Sequence, residues 1–458
     1  MASRFKEYEP DRILLFPPSL QDWLPEDHLS YFISDLVDEL DLSEIRNAYD
    51  NSLGGQPPYH PRMMTKLLFY SYCVGEPSSR KIEKRSYEDI PTRMLAAGAH
   101  PDHDTIAHFR ATHTPALSRL FVQVLSICQE AGLVKLGHVA LDGTKIKANA
   151  SKHKAMSYGR MQVKEQELQE EVDRLLSMAE AVDRQEDATY GAGTRGDELP
   201  EDLRFREKRL EKIREAQAVL EAAAAEKAEA KQQEIDRKNK ELEQKHTQRR
   251  GRPPTPPSGI PDDTQQYNFT DPESRIMKDG ASKSFMQAYN SHIAVDQSSQ
   301  IIVAAAVTQD ATDHHQLIPM VEQTISNTGS KPGKLTGDSG FYSDDNVAYL
   351  EEQKIDGYLA VGKEKHSKRS GPCPRGRPPQ DLTVKERMGR KLMTLKGRAV
   401  YGKRKEIVEA PFGQIKERRG FRQFLRRGLE KANAEWNLIC MTHNILKIFR
   451  SGYTVRGQ

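Results

Sequence analysis

Three acids stand out for the kind of sequence that surrounds each. Asp142 ends an apolar, strand-like run, His138-Val139-Ala140-Leu141. Asp338 closes a second short run, Lys334-Leu335-Thr336-Gly337, and leads into Ser339-Gly340-Phe341-Tyr342. Glu409 sits in helical sequence among cations, between Lys403-Arg404-Lys405 and Lys416. Carboxylate oxygens are the hard ligands that magnesium prefers. Two such ions ~4 Å apart can activate an attacking oxygen and stabilise a leaving one in displacement at a phosphodiester. One acid at a strand end is usually just solvated. Three in topologically suitable places, the last amid cations, point to two-metal phosphodiester chemistry.

Helix geometry sharpens the third position. At ~100° per residue, Lys416 falls within ~20° of Glu409, and Lys405 within ~40°. Arg404, one residue earlier, is expected to point well away. Lys405, Glu409 and Lys416 are therefore expected to share a face, a metal ligand flanked by phosphate-binding cations. Pro411 lacks a backbone donor and clashes with the preceding turn, so the helix is expected to begin near it or to kink there. That bears on Lys405 more than on Lys416.

The elements that must position these residues can be traced along the chain. Residues 1–135 read as helical, with apolar faces such as Ile33, Leu36, Val37 and Leu40. Short basic helices are expected after Ser78-Ser79-Arg80-Lys81 and Asp104-Thr105-Ile106. They suit a helix-turn-helix-like DNA reader, with Arg80 and Lys81 on its exposed face, or plain solvated helices. Residues 136–154 hold the first strand. Residues 155–248 are rich in Glu, Lys, Gln, Ala and Arg, with stripes at Leu168, Val172, Leu175 and Met178 and at Leu210, Ile213, Val219 and Leu220. They predict an antiparallel helical hairpin inserted into a sheet. Its alternative role is an interaction arm.

A proline-rich basic linker at 249–261 returns the chain to strands at 285–296 and 301–308, joined by a turn near Gln297-Ser298-Ser299. A helix at 315–325, a strand at 334–338, a helix from Ser343 to about Lys354 and a strand at 358–361 follow. A basic loop is expected over 363–387, then closing helices. With the insertion removed, 136–154 and 262–458 form a mixed α/β sheet with an antiparallel hairpin, the element order of an RNase H-like domain.

Composition sets limits. With 69 Lys and Arg against 66 Asp and Glu, the net charge of +3 says little about nucleic acid. The distribution says more, since Lys396 to Arg427 is a basic stretch. Cys73, Cys128, Cys373 and Cys440 are scattered without a C-x-x-C pair, which argues for free thiols in a reducing cytoplasm over disulfides or zinc. No apolar run reaches the ~18 residues of a membrane span, and the N-terminus lacks a signal-peptide pattern.

Together these blocks make the chain resemble the bacterial insertion-sequence DDE transposases of the InsH type, over nearly its whole length. The N-terminal part carries Phe16-Pro17-Pro18-Ser19-Leu20, Trp23-Leu24-Pro25-Glu26-Asp27-His28, Ser79-Arg80-Lys81-Ile82-Glu83 and Asp104-Thr105-Ile106-Ala107-His108-Phe109-Arg110. Asp142-Gly143-Thr144 matches the first acidic block, and Gly337-Asp338-Ser339-Gly340-Phe341 the second. Tyr289-Asn290 and Ala294-Val295-Asp296 match the strand after the insertion. Tyr401, Glu409 and Lys416 match a Tyr-Arg-Glu-Lys signature, whose arginine position falls on Lys405, with Arg404 one earlier.

The resemblance implies that Asp142, Asp338 and Glu409 bind two Mg2+, with Mn2+ as a substitute. It implies that Lys416, Lys405 and Tyr401 position end DNA, that the partners are terminal inverted repeats and target DNA, and that a dimer forms at synapsis beside the bacterial nucleoid. A non-catalytic DNA-binding regulator, a nuclease without joining activity and an adaptor using the helical arm are the competing readings. Intact acids weigh against the first, and the adaptor leaves the acids and Lys416 unexplained.

Two near-duplicate segments, Arg249-Arg250-Gly251-Arg252-Pro253-Pro254 and Pro374-Arg375-Gly376-Arg377-Pro378-Pro379, remain. Each resembles an AT-hook core. Glycine would let the backbone approach a narrow A·T minor groove, where Arg250 and Arg252, or Arg375 and Arg377, meet enhanced negative potential. Flexible basic linkers are the alternative.

Overall fold

The computed structural model describes residues 19–49, 57–190, 201–244, 256–280, 283–362, 373–374, 376, 379 and 381–455. Arg250, Arg252, Arg375 and Arg377, and with them both Gly-Arg-Pro segments as groove-binding elements, lie outside the described residues. The chain divides into two units, residues 1–146 with 290–458, and residues 147–289.

The apolar runs become strands: β1 (Val139–Lys147), β2 (Ala155–Ser157), β3 (Gln266–Asn268), β4 (Arg275–Lys278), β5 (Phe285–Asp296), β6 (Ile302–Thr308), β7 (Lys334–Gly337) and β8 (Asp356–Leu359). In the first unit the sheet runs β6-β5-β1-β7-β8. β5 and β6 form an antiparallel hairpin with an irregularity at Ala294/Val295, while β1, β7 and β8 are parallel. This is the mixed sheet expected of an RNase H-like domain.

The final helix, Leu429–Arg450, seals the β6 edge. Asn444 both accepts from the Ile302 N–H (2.9 Å) and donates to the Ile302 carbonyl (2.8 Å), and Asn433 accepts from the Val307 N–H (3.0 Å). An edge whose backbone groups are paired in this way cannot template another strand.

The N-terminal helices belong to the same unit. Those at Pro61–Cys73 and Thr114–Glu130 pack along the final helix. Arg419 locks that contact from within: its guanidinium donates to Thr442 Oγ1 (2.7 Å), the Ile439 carbonyl (3.1 Å) and the Tyr72 carbonyl (3.4 Å). Burial pulls its pKa down only to about 10, so it stays charged at neutral pH. Gly75, at φ +82°, has to be glycine here, because a Cβ would lie 2.7 Å from the Arg419 carbonyl oxygen. Cys73, Cys128, Cys373 and Cys440 are free thiols. Among the described residues no helix is long and apolar enough to cross a membrane.

The second unit holds the helical hairpin, Tyr158–Tyr190 and Glu201–Gln244. Arg214 reaches Glu165 and Arg206 reaches Glu171, which fixes the two helices as antiparallel. Met161, Leu168, Leu210, Ile213, Ala216 and Leu220 form its core. Val219, expected in that stripe, is instead 53% exposed. A 3.6-residue period from Leu210 and Ile213 reaches Gln217 and Leu220, and Gln217 is buried in its place.

The unit extends past residue 248 because β2 pairs with β3 and β4 with the start of β5. Those short polar strands carry little period-2 signal, and the sequence reading missed them. A further difference falls at residues 384–387, expected to end the loop, where the helix Val384–Met393 already begins. Thr383 and Glu386 form a capping box that starts it.

Candidate active site

Parallel pairing of β1 with β7 aligns Val139 with Leu335 and Ala140 with Thr336. Carried forward at the same offset, that register sets Asp142 beside Asp338. Asp142 does not end β1 as the sequence suggested. β7 stops at Gly337, so β1 loses that neighbour at Asp142 and continues to Lys147. The two carboxylates lie close enough for the Asp338 charge to act on Asp142. Asp142 accepts from the Gly143 N–H (3.0 Å), and Asp338 from the Gly340 N–H (2.8 Å).

A third aspartate, which sequence reasoning missed, stands with them. Asp313 Oδ1 accepts from Asn290 Nδ2 (2.7 Å) and from His292 Nε2 (2.8 Å). A carboxylate only accepts, so the His292 proton sits on Nε2. Burial would raise the Asp313 pKa, but the hydrogen bonds from His292 and Asn290 bring it below the usual range.

Glycine makes room for this crowding. A Cβ on Gly340 would lie 2.7 Å from Asp313 Oδ2 and 3.0 Å from Asp338 Oδ1. Gly340→Ala is expected to displace both carboxylates and lower turnover about 100-fold, the scale of an ångström-sized misplacement. Steady-state kinetics beside thermal unfolding will check it, and an alanine variant turning over within twofold of the parent would refute it.

Cations frame the acids. Arg404 opens the helix Arg404–Gly413, and its Nη1 lies 3.3 Å from Asp142 Oδ2. Its guanidinium sits 6.0 Å over the Tyr401 ring. Arg404 does point away from Glu409, as expected, but it is the Arg404 side of the helix, not the Glu409 side, that meets Asp142. The buried face of this helix is Ile407, Val408 and Pro411, continued by Ile415, and Arg404 lies on it. The helix does not begin at Pro411, which lies inside it, and it passes at Gln414–Arg418 into a π turn. From that turn Lys416 Nζ donates to Thr144 Oγ1 (2.9 Å), two residues from Asp142. Lys145, also unforeseen, donates to the Ala311 carbonyl (2.9 Å) beside Asp313. Burial lowers its pKa, and the charges of Asp313 and Asp338 oppose that.

Glu409 and Lys405 are exposed on the same helix. Among the described residues no three His, Cys, Asp or Glu side chains already close on one point. Arg80 and Lys81 are exposed on the helix Ser79–Glu88, with Lys81 Nζ 3.1 Å from Glu76.

Comparison with known families decides what this site belongs to. The Transposase domain (DUF772) matches residues 18–112, and the Transposase DDE domain matches residues 254–445. The chain belongs to the insertion-sequence DDE transposases. No curated relative and no solved structure matches it.

The transposase fold implies divalent metal, and the donor set fits one. Asp142 on β1 and Asp338 just past the end of β7 offer hard oxygens from adjacent, rigid positions. Burial pushes Asp142 up to about 6; Arg404 pulls it down, Asp338 pushes it up further, the Gly143 N–H lowers it and Asp313 raises it. Buried carboxylates crowded against one another gain from a divalent cation. Metal must displace the proton that Asp142 holds below its pKa. Magnesium affinity of the transposase is thus expected to be flat above about pH 7 and to fall about tenfold per unit below pH 6. Calorimetric titration across that range will measure it, and a flat profile down to pH 5 would refute it.

Proposed function

We propose that this transposase binds the ends of its element, cuts the DNA and joins the freed 3′ ends to target DNA, using Asp142, Asp338 and Glu409 to hold two divalent ions. The observation that carries the reading is the parallel register of β1 with β7, which, carried past the end of β7, sets Asp142 beside Asp338, close enough for the Asp338 charge to act on the Asp142 carboxyl. The ions, magnesium or manganese, would supply activation of the attacking oxygen and stabilisation of the leaving one.

The chain's own residues do the rest. Arg404 holds the place of a cation beside Asp142 and would give it up when metal enters. Its helix also carries Glu409, exposed beside the buried stripe, as the third acid of the proposed set. Lys416 is anchored to β1 beside Asp142, where it can hold a DNA phosphate close to the acids. Tyr401, Arg404 and Lys405 would add further contacts to that DNA. The exposed Arg80 and Lys81 helix suits the duplex further out, and synapsis of two ends calls for a dimer.

The deciding experiment supplies the intact protein with magnesium and DNA carrying the gene's own flanks. Cut ends and joined products are expected. Cutting without joining would make it a nuclease, and tight binding without cutting under several metals would make it a regulator.

A further inference from the structure

The helix that bears Glu409 has a second polar side. Where it gives way to the π turn Gln414–Arg418, a cavity of about 550 Å³ opens between that turn and the final helix. His443, Lys447 and Arg450 lie along one stripe of the final helix and line it. Arg418 enters from the π turn. The rim acid Glu417 is already paired with Arg422.

Gln414 also lines the cavity, and both of its amide atoms are buried without a hydrogen-bond partner. A buried polar group left unpaired is costly, so it marks a place where something polar is missing. Gln300 orders the floor: its side-chain oxygen accepts from Lys447 Nζ (2.8 Å), and its carbonyl accepts from His443 Nε2 (2.9 Å). Burial, with Arg450 beside it, lowers the Lys447 pKa, as expected where cations crowd without an anion.

We propose that this cavity takes a backbone phosphate of DNA, with the Gln414 amide and the Lys447, Arg450 and Arg418 cations as its donors. The inference rests on the DNA-cutting function proposed above. It adds a grip away from the acids. Ala410 and Gly413 also line the cavity, so a phosphate held there fixes the helix within one residue of Glu409.

The test measures affinity of the full-length protein for a mixed-sequence duplex as salt is varied. Each phosphate contact contributes about −0.9 to the slope of log K against log salt. Arg450→Ala is expected to reduce that slope by about 0.9 and weaken low-salt binding about tenfold, with Arg450→Lys restoring the slope. Gln414→Leu removes a neutral donor, so it is expected to weaken binding with the slope unchanged. Arg450 is exposed, so its variants test the cavity even if Gln414→Leu fails to fold.

If Arg450→Ala keeps the parent slope and affinity while the parent binds and cuts DNA, the cavity assignment is overturned and the function stands. If the parent binds no duplex, yet inorganic phosphate raises its melting temperature and not that of Arg450→Ala, the cavity holds a small anion and both readings fall.

Discussion

Asp338→Asn is expected to slow magnesium-dependent end cleavage at least about a thousandfold while duplex affinity stays within twofold of the parent. A metal-bound carboxylate contributes several kcal/mol of transition-state stabilisation, and about 4 kcal/mol corresponds to a factor of about a thousand. The substitution is close to isosteric. The oxygen of the new side-chain amide can still accept the Gly340 N–H that Asp338 now accepts at 2.8 Å, so the loop over the site keeps its shape. What is lost is one negative charge facing Asp142. Because Asp338 helps to hold the Asp142 pKa up, the variant should also bind its residual magnesium with a pH profile shifted to lower pH. Single-turnover cleavage and duplex titration on the same preparation separate the two effects. Cleavage by the variant within tenfold of the parent would show that Asp338 is no ligand.

The two strand acids were legible because each ends or interrupts an apolar run, and apolar runs are what form buried strands. Their alignment was not legible, since register depends on the long-range pairing of β1 with β7. Asp313 was missed because it sits in a loop with no periodicity. A signal did exist: Asn290 and His292 are polar residues two apart in a strand that continues into Ile293-Ala294-Val295, so they share a face and need a partner. The side of the helix that meets Asp142 was not legible from Glu409, which was taken as the inward reference, and Arg404 lies on the opposite side. The apolar stripe of Ile407, Val408 and Pro411 was the better guide, since burial of that stripe sets the rotation of the helix. The hairpin insertion was legible from composition, whereas β2, β3 and β4 are too short and polar to announce themselves.

Trp436→Ala is expected to destabilise the protein by about 4 kcal/mol, as truncation of a buried Trp does, and to loosen the site with it. Trp436 is fully buried, with its ring edge-on to Phe424 at 6.5 Å. Its Nε1 donates to the His292 carbonyl (3.0 Å), so the indole is bonded to the backbone of the strand whose His292 side chain holds Asp313. Truncation leaves both a cavity and an unpaired carbonyl in β5. Trp436→Phe keeps most of the volume and removes only the donor, and is expected to cost about 1–2 kcal/mol. Urea unfolding of the two variants divides packing from hydrogen bonding. Magnesium titration then asks whether the strain reaches the acids. If β5 carries Asp313 as the hydrogen bonds indicate, Trp436→Phe binds magnesium more weakly than the parent under conditions where it is fully folded. Unchanged magnesium affinity in that variant would mean that the site's geometry is set by β1 and β7 alone.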